Sequence, residues 1–535
     1  MLIDLARNPE WNGSVTDFCI VGAGAAGITL ARELMRRGHS VCLLESGGLD
    51  FERDTQELYR GANVGMPYYD LEESRLRFFG GTVAIWGGRS ALLDPIDFAQ
   101  RDWVPYSGWP IDRQVLDPWY RVAHAQLELG TFNYEQDIWN ALGIDDPGFD
   151  PEAMTSALWR FDESTERFTA GRATDLFKAP DVQVVLHANA VRIQADDEGR
   201  NVRHILVKTL GGVEKQVTAR HYVLASGAIE NVRLMLVSDD VEPHGLGNAH
   251  DQVGRCFMEH PCGRIGKVKT DHAFEIWDAF QKRFMKEGPP LAPVLRLSER
   301  LQRERRALNG IFTFKLQRDP KQGVALGNQL YHKLKHSLAP NRTGRVLDHL
   351  YRGVRAWAHK AVRTNVERWR ARRGAGLYLI VRGEQAPNPA SRVLLSAERD
   401  ALGVRRADLD WQLGDIDKQA ARVLAEVFSE ELQRQGKGSV TLSDWLNEPG
   451  PAWPVDPTVG NHPIAGYHHL GGTRMGRDPH TSVVDADCRV HGYSNLYVAG
   501  SSVFSTSGWA NPTLTIIALA LRLADHLSEK RPAGG

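Results

Sequence analysis

Two strand–loop–helix units, one at each end of the chain, constrain the fold more than anything between them. The first is DFCIV (17–21), a nearly continuous apolar run, followed by Gly22, Gly24 and Gly27 and an amphipathic stretch over 28–37. Glycines so placed allow a tight turn and close backbone approach. With Ala25 and Ala26 they open a helix whose free N–H groups suit a pyrophosphate. A second strand, SVCLL (40–44), leads into Glu45 and Ser46. An acid there suits the ribose hydroxyls of an adenine dinucleotide and repels a 2′-phosphate. This motif alone does not separate FAD from NAD.

The other end separates them. NLYVA (495–499) reads as a buried strand, followed by a loop of small residues opening with Gly500 and Ser501 and a helix over 512–527. Asn511 is expected at the N-cap and Pro512 at the first helical position, with Thr513 behind it. A helix N-terminus carries roughly half a positive charge, which suits the N1 and C2 carbonyl region of a reduced flavin. One site built from both ends implies an α/β architecture. A discontinuous Rossmann-like FAD-binding domain (1–95, 170–262, 465–535) would carry an α+β substrate domain with an antiparallel sheet (96–169, 263–464). Within the latter, 393–396 and 407–412 read as strands and 415–432 as an amphipathic helix.

The strings HLGGT (469–473) and ANPTLT (510–515) are similar to those of the glucose-methanol-choline (GMC) oxidoreductase family, nearest its pyranose 2-oxidase branch and bacterial sugar-oxidising relatives. FFGGTVAIWGGRS (78–90) resembles the family's flavin-contacting loop, which implies contacts from Gly80, Gly81, Thr82, Trp86, Gly87 and Gly88. YVLASGAIENVRLML (222–236) resembles its second dinucleotide segment, implying Ala225, Ser226 and Gly227. The strand 182–191 is expected to pass adenine at Val191. VGRCFMEHP (253–261) and EQAPNPASRV (384–393) follow family patterns too; Glu384, Gln385 and Asn388 are polar candidates with no catalytic assignment.

The resemblance implies FAD-dependent oxidation of a secondary hydroxyl of a sugar, glycoside or polyol to a ketone. His469 would take the hydroxyl proton while a hydride passes to flavin N5, and Asn511 would hold the hydroxyl. A histidine suits this because its ordinary pKa is near 6.5. His468 is the alternative base, since neighbours in an extended segment face opposite ways. The competing readings are a non-sugar alcohol, or lyase-like chemistry with a structural FAD. Pyranose 2-oxidases attach FAD through a histidine before the loop tryptophan; Ile85 stands there, so non-covalent FAD is expected. Oxygen, a quinone or a cytochrome remain open as electron acceptor.

Composition narrows the partners. With 65 Lys and Arg against 66 Asp and Glu, nothing pulls the chain toward nucleic acid. Five scattered cysteines without a CxxC pair favour a reducing compartment. No basic region with an apolar core follows Met1, and no apolar run approaches the ~18 residues of a membrane span, so a cytoplasmic location is expected. No metal is expected, and His260, His480 and His491 are read as structural or exposed. A basic amphipathic helix spans about 332–374. Its positions 344–372 would meet a membrane surface, a partner or another subunit, or pack across the substrate domain. The end RPAGG reads as a disordered tail.

Overall fold

The computed structural model describes residues 1–535 apart from 14, 165, 317–340, 342, 345, 347–349, 351–368, 370–375, 460–461 and 530–535. The basic stretch 332–374 therefore lies outside the described residues except at isolated positions, as does the tail.

The apolar runs of the first unit form the middle of a six-stranded parallel sheet. Its order is Leu2–Asp4, Val182–Leu186, Val41–Leu44, Thr16–Val21, Ala219–Leu224, Leu496–Val498. Strands in such a sheet are covered on both faces, and Cys19, Ile20 and Leu43 are accordingly fully buried. The helix Ala25–Arg36 makes the crossover between Thr16–Val21 and Val41–Leu44. The C-terminal helix Thr513–Glu529 packs against it, so the two ends of the chain share one core.

A seven-stranded antiparallel sheet stands beside this one, in the order Ser439–Leu442, Cys262–Lys269, Leu377–Arg382, Ile311–Leu316, Leu291–Leu297, Met154–Phe161, Arg89–Ser90. The helix Asp415–Arg434 covers one face, where Phe428 meets the rings of Phe312 and Phe314. The fold is thus a Rossmann-like parallel layer joined to an antiparallel substrate layer.

Two local expectations change. The strands Arg392–Arg399 and Arg405–Asp410 form a two-stranded sheet of their own, with single bridges from Arg392 to Arg255 and from Leu409 to Asn63, and lie on the helix Ala228–Val237, tied there by Arg233 to Asp400 and to the Arg405 carbonyl. Alternation shows that a strand has one buried face, not what buries it. The C-terminal helix begins at Thr513, and the Pro512 carbonyl accepts the Ile516 N–H at 2.8 Å. Pro512 therefore holds the cap position and the Asn511 side chain is released for other work.

Among the described residues no helix is long and apolar enough to cross a membrane, and the five cysteines are buried and unpaired by disulfides.

Candidate active site

One cavity runs from the first glycine loop to the start of the C-terminal helix, bordered by Gly24 and Glu45 at one end and by His468, His469 and Asn511 at the other. Every residue expected to touch the nucleotide borders it except Gly27. The glycines divide the labour. A Cβ on Gly27 would lie 1.9 Å from the Gly22 carbonyl oxygen, so Gly27 serves the close approach of helix to strand. A Cβ on Gly24, Gly227 or Gly500 would meet nothing within 4 Å. These three keep space open for a ligand.

The helix Ala25–Arg36 starts without a side-chain cap and without an acid in its first turn, leaving its N–H groups for an anion. Glu45 accepts the N–H groups of Ala23 at 3.0 Å and Gly47 at 2.9 Å. Burial nonetheless raises its pKa above the ordinary range. Beside it, Arg75 and Arg77 stack on Tyr59 and both reach Glu230. Burial pushes the Glu230 carboxyl up, but Arg75, Arg233 and Arg77 outweigh it and leave the pKa lowered to about 2. Tyr59, Arg75 and Arg77 lay in no motif, and Glu230 and Arg233, inside the segment 222–236, carried no assigned role.

At the far end the two adjacent histidines part company. Met258 and Leu470 pair as an antiparallel bridge, and Tyr467 takes a φ of 62°, outside the extended region. Continuing the bridge register places residue 260 opposite 468, and the contact is made: His260 Nδ1 lies 2.7 Å from His468 Nδ1. His468 Nε2 lies 3.0 Å from Asn511 Nδ2. His469 turns the other way, with Nε2 3.0 Å from the Tyr68 hydroxyl and its ring beside Phe257. The expected partnership of His469 with Asn511 is therefore corrected: the side chain that meets Asn511 is His468. His260, expected to be structural or exposed, is fully enclosed against His468. His480 is exposed, and His491 is half-buried on Ser482.

Hydrogen-bond polarity follows from the ends of each chain. A carbonyl only accepts, so the Ser507 oxygen, 3.3 Å from His260 Nε2, fixes the His260 proton on Nε2. Neutral His260 then accepts at Nδ1, His468 donates from its own Nδ1, and His468 Nε2 is left with a lone pair toward the Asn511 amide. In the other chain the Tyr68 hydroxyl donates to Glu259 Oε1 at 2.5 Å and so accepts from His469. His469 Nε2 is thus a donor.

Glu259 organises this loop. Its carboxylate also accepts the N–H groups of His468 at 2.6 Å, His260 at 2.7 Å and Gly466 at 3.1 Å. Burial raises it to about 7 while those donors pull the other way. Burial lowers His260 to about 4 and His469 to about 3, and lowers His468 well below the ordinary histidine value, helped by the charges of His260, His462, Arg382 and Arg89. The sequence held a signal for Glu259 and His260 in VGRCFMEHP, but not their contacts. Glu384 and Gln385 lie behind the cavity: Glu384 forms a buried pair with Arg101, and Gln385 bonds Glu259 N–H and Trp411.

A family model described as GMC oxidoreductase matches residues 387–520, and one described as FAD dependent oxidoreductase matches 17–244. The chain is 23% identical to the fructose dehydrogenase large subunit of Gluconobacter japonicus, over 96% of this chain and 97% of that one. It is 43% identical to the C-glycoside 3-oxidase of Microbacterium trichothecenolyticum over 26% of this chain and 25% of that one. The solved structure of pyridoxine 4-oxidase from Mesorbium loti matches with a TM-score of 0.52 and 15% identity, covering 96% of this chain and 100% of the other.

Proposed function

The chain belongs to the GMC oxidoreductase family, as an FAD-dependent enzyme acting on CH–OH donors, and from that premise we propose that it oxidises a secondary hydroxyl of a sugar, glycoside or polyol to a ketone with His468 as base. The observation that carries this reading is the lone pair of His468 Nε2 facing the Asn511 amide on the cavity wall. Two relatives named for a sugar and a glycoside support the substrate class.

Bound FAD supplies the acceptor for the two electrons and the hydrogen that leave the carbinol carbon. The chain's residues do the rest. A substrate hydroxyl that replaces the direct contact of His468 Nε2 with the Asn511 amide gives its proton to Nε2 and accepts the amide N–H, which orients it. Burial keeps His468 neutral and ready to accept, and positioned proton transfer of this kind is worth about 10²–10⁴ in rate. Gly22, Gly24, Ala25, Ala26 and Gly227 hold the pyrophosphate stretch, and Glu45 takes the ribose hydroxyls. Ile85 offers no nucleophile, so FAD is held without a covalent bond.

Anaerobic titration with pyranoses, glycosides and simple alcohols tests the reading through bleaching of the flavin. His468→Ala should keep FAD and slow bleaching about 10²–10⁴-fold, and His469→Ala should slow it less. The reverse ranking would return the base to His469. A flavin that no alcohol bleaches would favour the lyase-like alternative.

A further inference from the structure

We propose that His260 is the second station of the base: as His468 Nε2 takes the hydroxyl proton, the proton on His468 Nδ1 passes to His260 Nδ1 and the positive charge comes to rest on His260. This rests on His468 being the base. The balance is simple. The substrate O–H bond breaks as N–H forms at His468 Nε2, and N–H breaks at His468 Nδ1 as N–H forms at His260 Nδ1. The electrons from the substrate carbon go to FAD, as in the family's reaction. The extra proton leaves by the reverse path before the next turnover.

The 2.7 Å separation of the two Nδ1 atoms is a hydrogen bond that only one proton can occupy, and the Ser507 carbonyl sets its direction. The surroundings choose where the charge settles. Around His468 the ionisable neighbours apart from its partner His260 are His462, Arg382 and Arg89, all of which oppose a positive charge there. Burial opposes a charge on either ring, but around His260 the carbonyls of Ser507 and Gly508 and the carboxylate of Glu384 offset part of that cost, and Arg382 is the one charged side chain named there that adds to it. Glu259 meets the backbone N–H groups of both histidines and leaves both rings to each other. His260 is therefore a positioning residue that acts on substrate through His468.

The test uses the holoenzyme with isotope-labelled histidine nitrogens. One far-downfield ring proton coupled to two ring nitrogens is expected, lost in both His260→Gln and His468→Gln. The second readout is a proton inventory of anaerobic flavin reduction in mixed light and heavy water, bowed for the native enzyme and linear for His260→Gln. Glutamine still accepts from His468 Nδ1 but takes no proton, so kcat should fall about 10²-fold, at the low end of the proton-transfer range, with KM little changed. A native inventory that is linear, or native-rate flavin reduction by His260→Gln, overturns the relay. If that variant fails to fold, the native spectrum and inventory decide alone. Unimpaired reduction by His468→Ala would instead remove the base and the relay with it, whereas a disabled His468→Ala beside a native-rate His260→Gln removes the relay only.

Discussion

The glycine cradle at 22–27 and the histidine cluster around 466–469 face one cavity but are held by different physics. The cradle is local backbone geometry: one strand, one turn and one helix, in which the useful property is a missing Cβ. The cluster is a network of side chains from 68, 259, 260, 468, 469 and 511, brought together by the whole fold. A cradle of this kind fails by being filled. A cluster fails by losing a partner.

The largest expected effect fills the cradle. Gly24→Val places its side chain where the native backbone meets nothing within 4 Å, so the protein should fold with unchanged circular dichroism and emerge without flavin absorbance. Gly27→Ala, whose Cβ would strike the Gly22 carbonyl at 1.9 Å, should instead reduce the yield of folded protein. A yellow Gly24→Val protein would erase the distinction between the two glycines.

The same contrast explains what was legible in the sequence. Gly22, Gly24, Gly27 and Glu45 announce a strand, a turn and a helix because the chemistry and its spacing lie within one short segment. His468 and His469 announce only that one of two adjacent rings faces the flavin side. Choosing between them takes the Met258–Leu470 register, the positive φ of Tyr467 and the Ser507 carbonyl, none of which local pattern encodes. The hairpin 392–410 is a further case: its two strands were readable at 393–396 and 407–412, but the helix they lie on was not.

A smaller effect removes one partner from the cluster. Glu259 accepts from three backbone N–H groups and Tyr68. Glu259→Gln keeps the shape but turns an NH₂ toward two of those donors. Leaving buried donors unmade costs about 1–3 kcal/mol each, so denaturant unfolding should show a loss of that order with FAD retained. An unchanged midpoint would mean that Glu259 does not hold the loop.

The smallest effect is the most selective, because it separates the two regions by pH alone. His260 at about 4 and His469 at about 3 stay neutral in the folded protein where an unfolded histidine would already be charged. Their contribution to stability is complete above the ordinary value near 6.5 and drains as pH falls toward those folded values, at about 1.4 kcal/mol per pH unit per histidine. Glu259 has the opposite sign: its folded value is raised to about 7, so its contribution is present below the ordinary carboxylate range and lost as pH rises through about 7. One carboxyl therefore offsets one histidine between pH 7 and the ordinary carboxylate value, and the others prevail. The cradle has no buried histidine to charge, and Glu45, also raised by burial, is not weakened by acid. Hydrogen exchange at pH 5 against pH 7, each divided by the intrinsic amide rate at that pH, should lose protection at 258–260 and 466–470 while 22–27 keeps it. Equal loss of protection in both would show that acid opens the molecule as a whole and that the cluster has no separate response to protons.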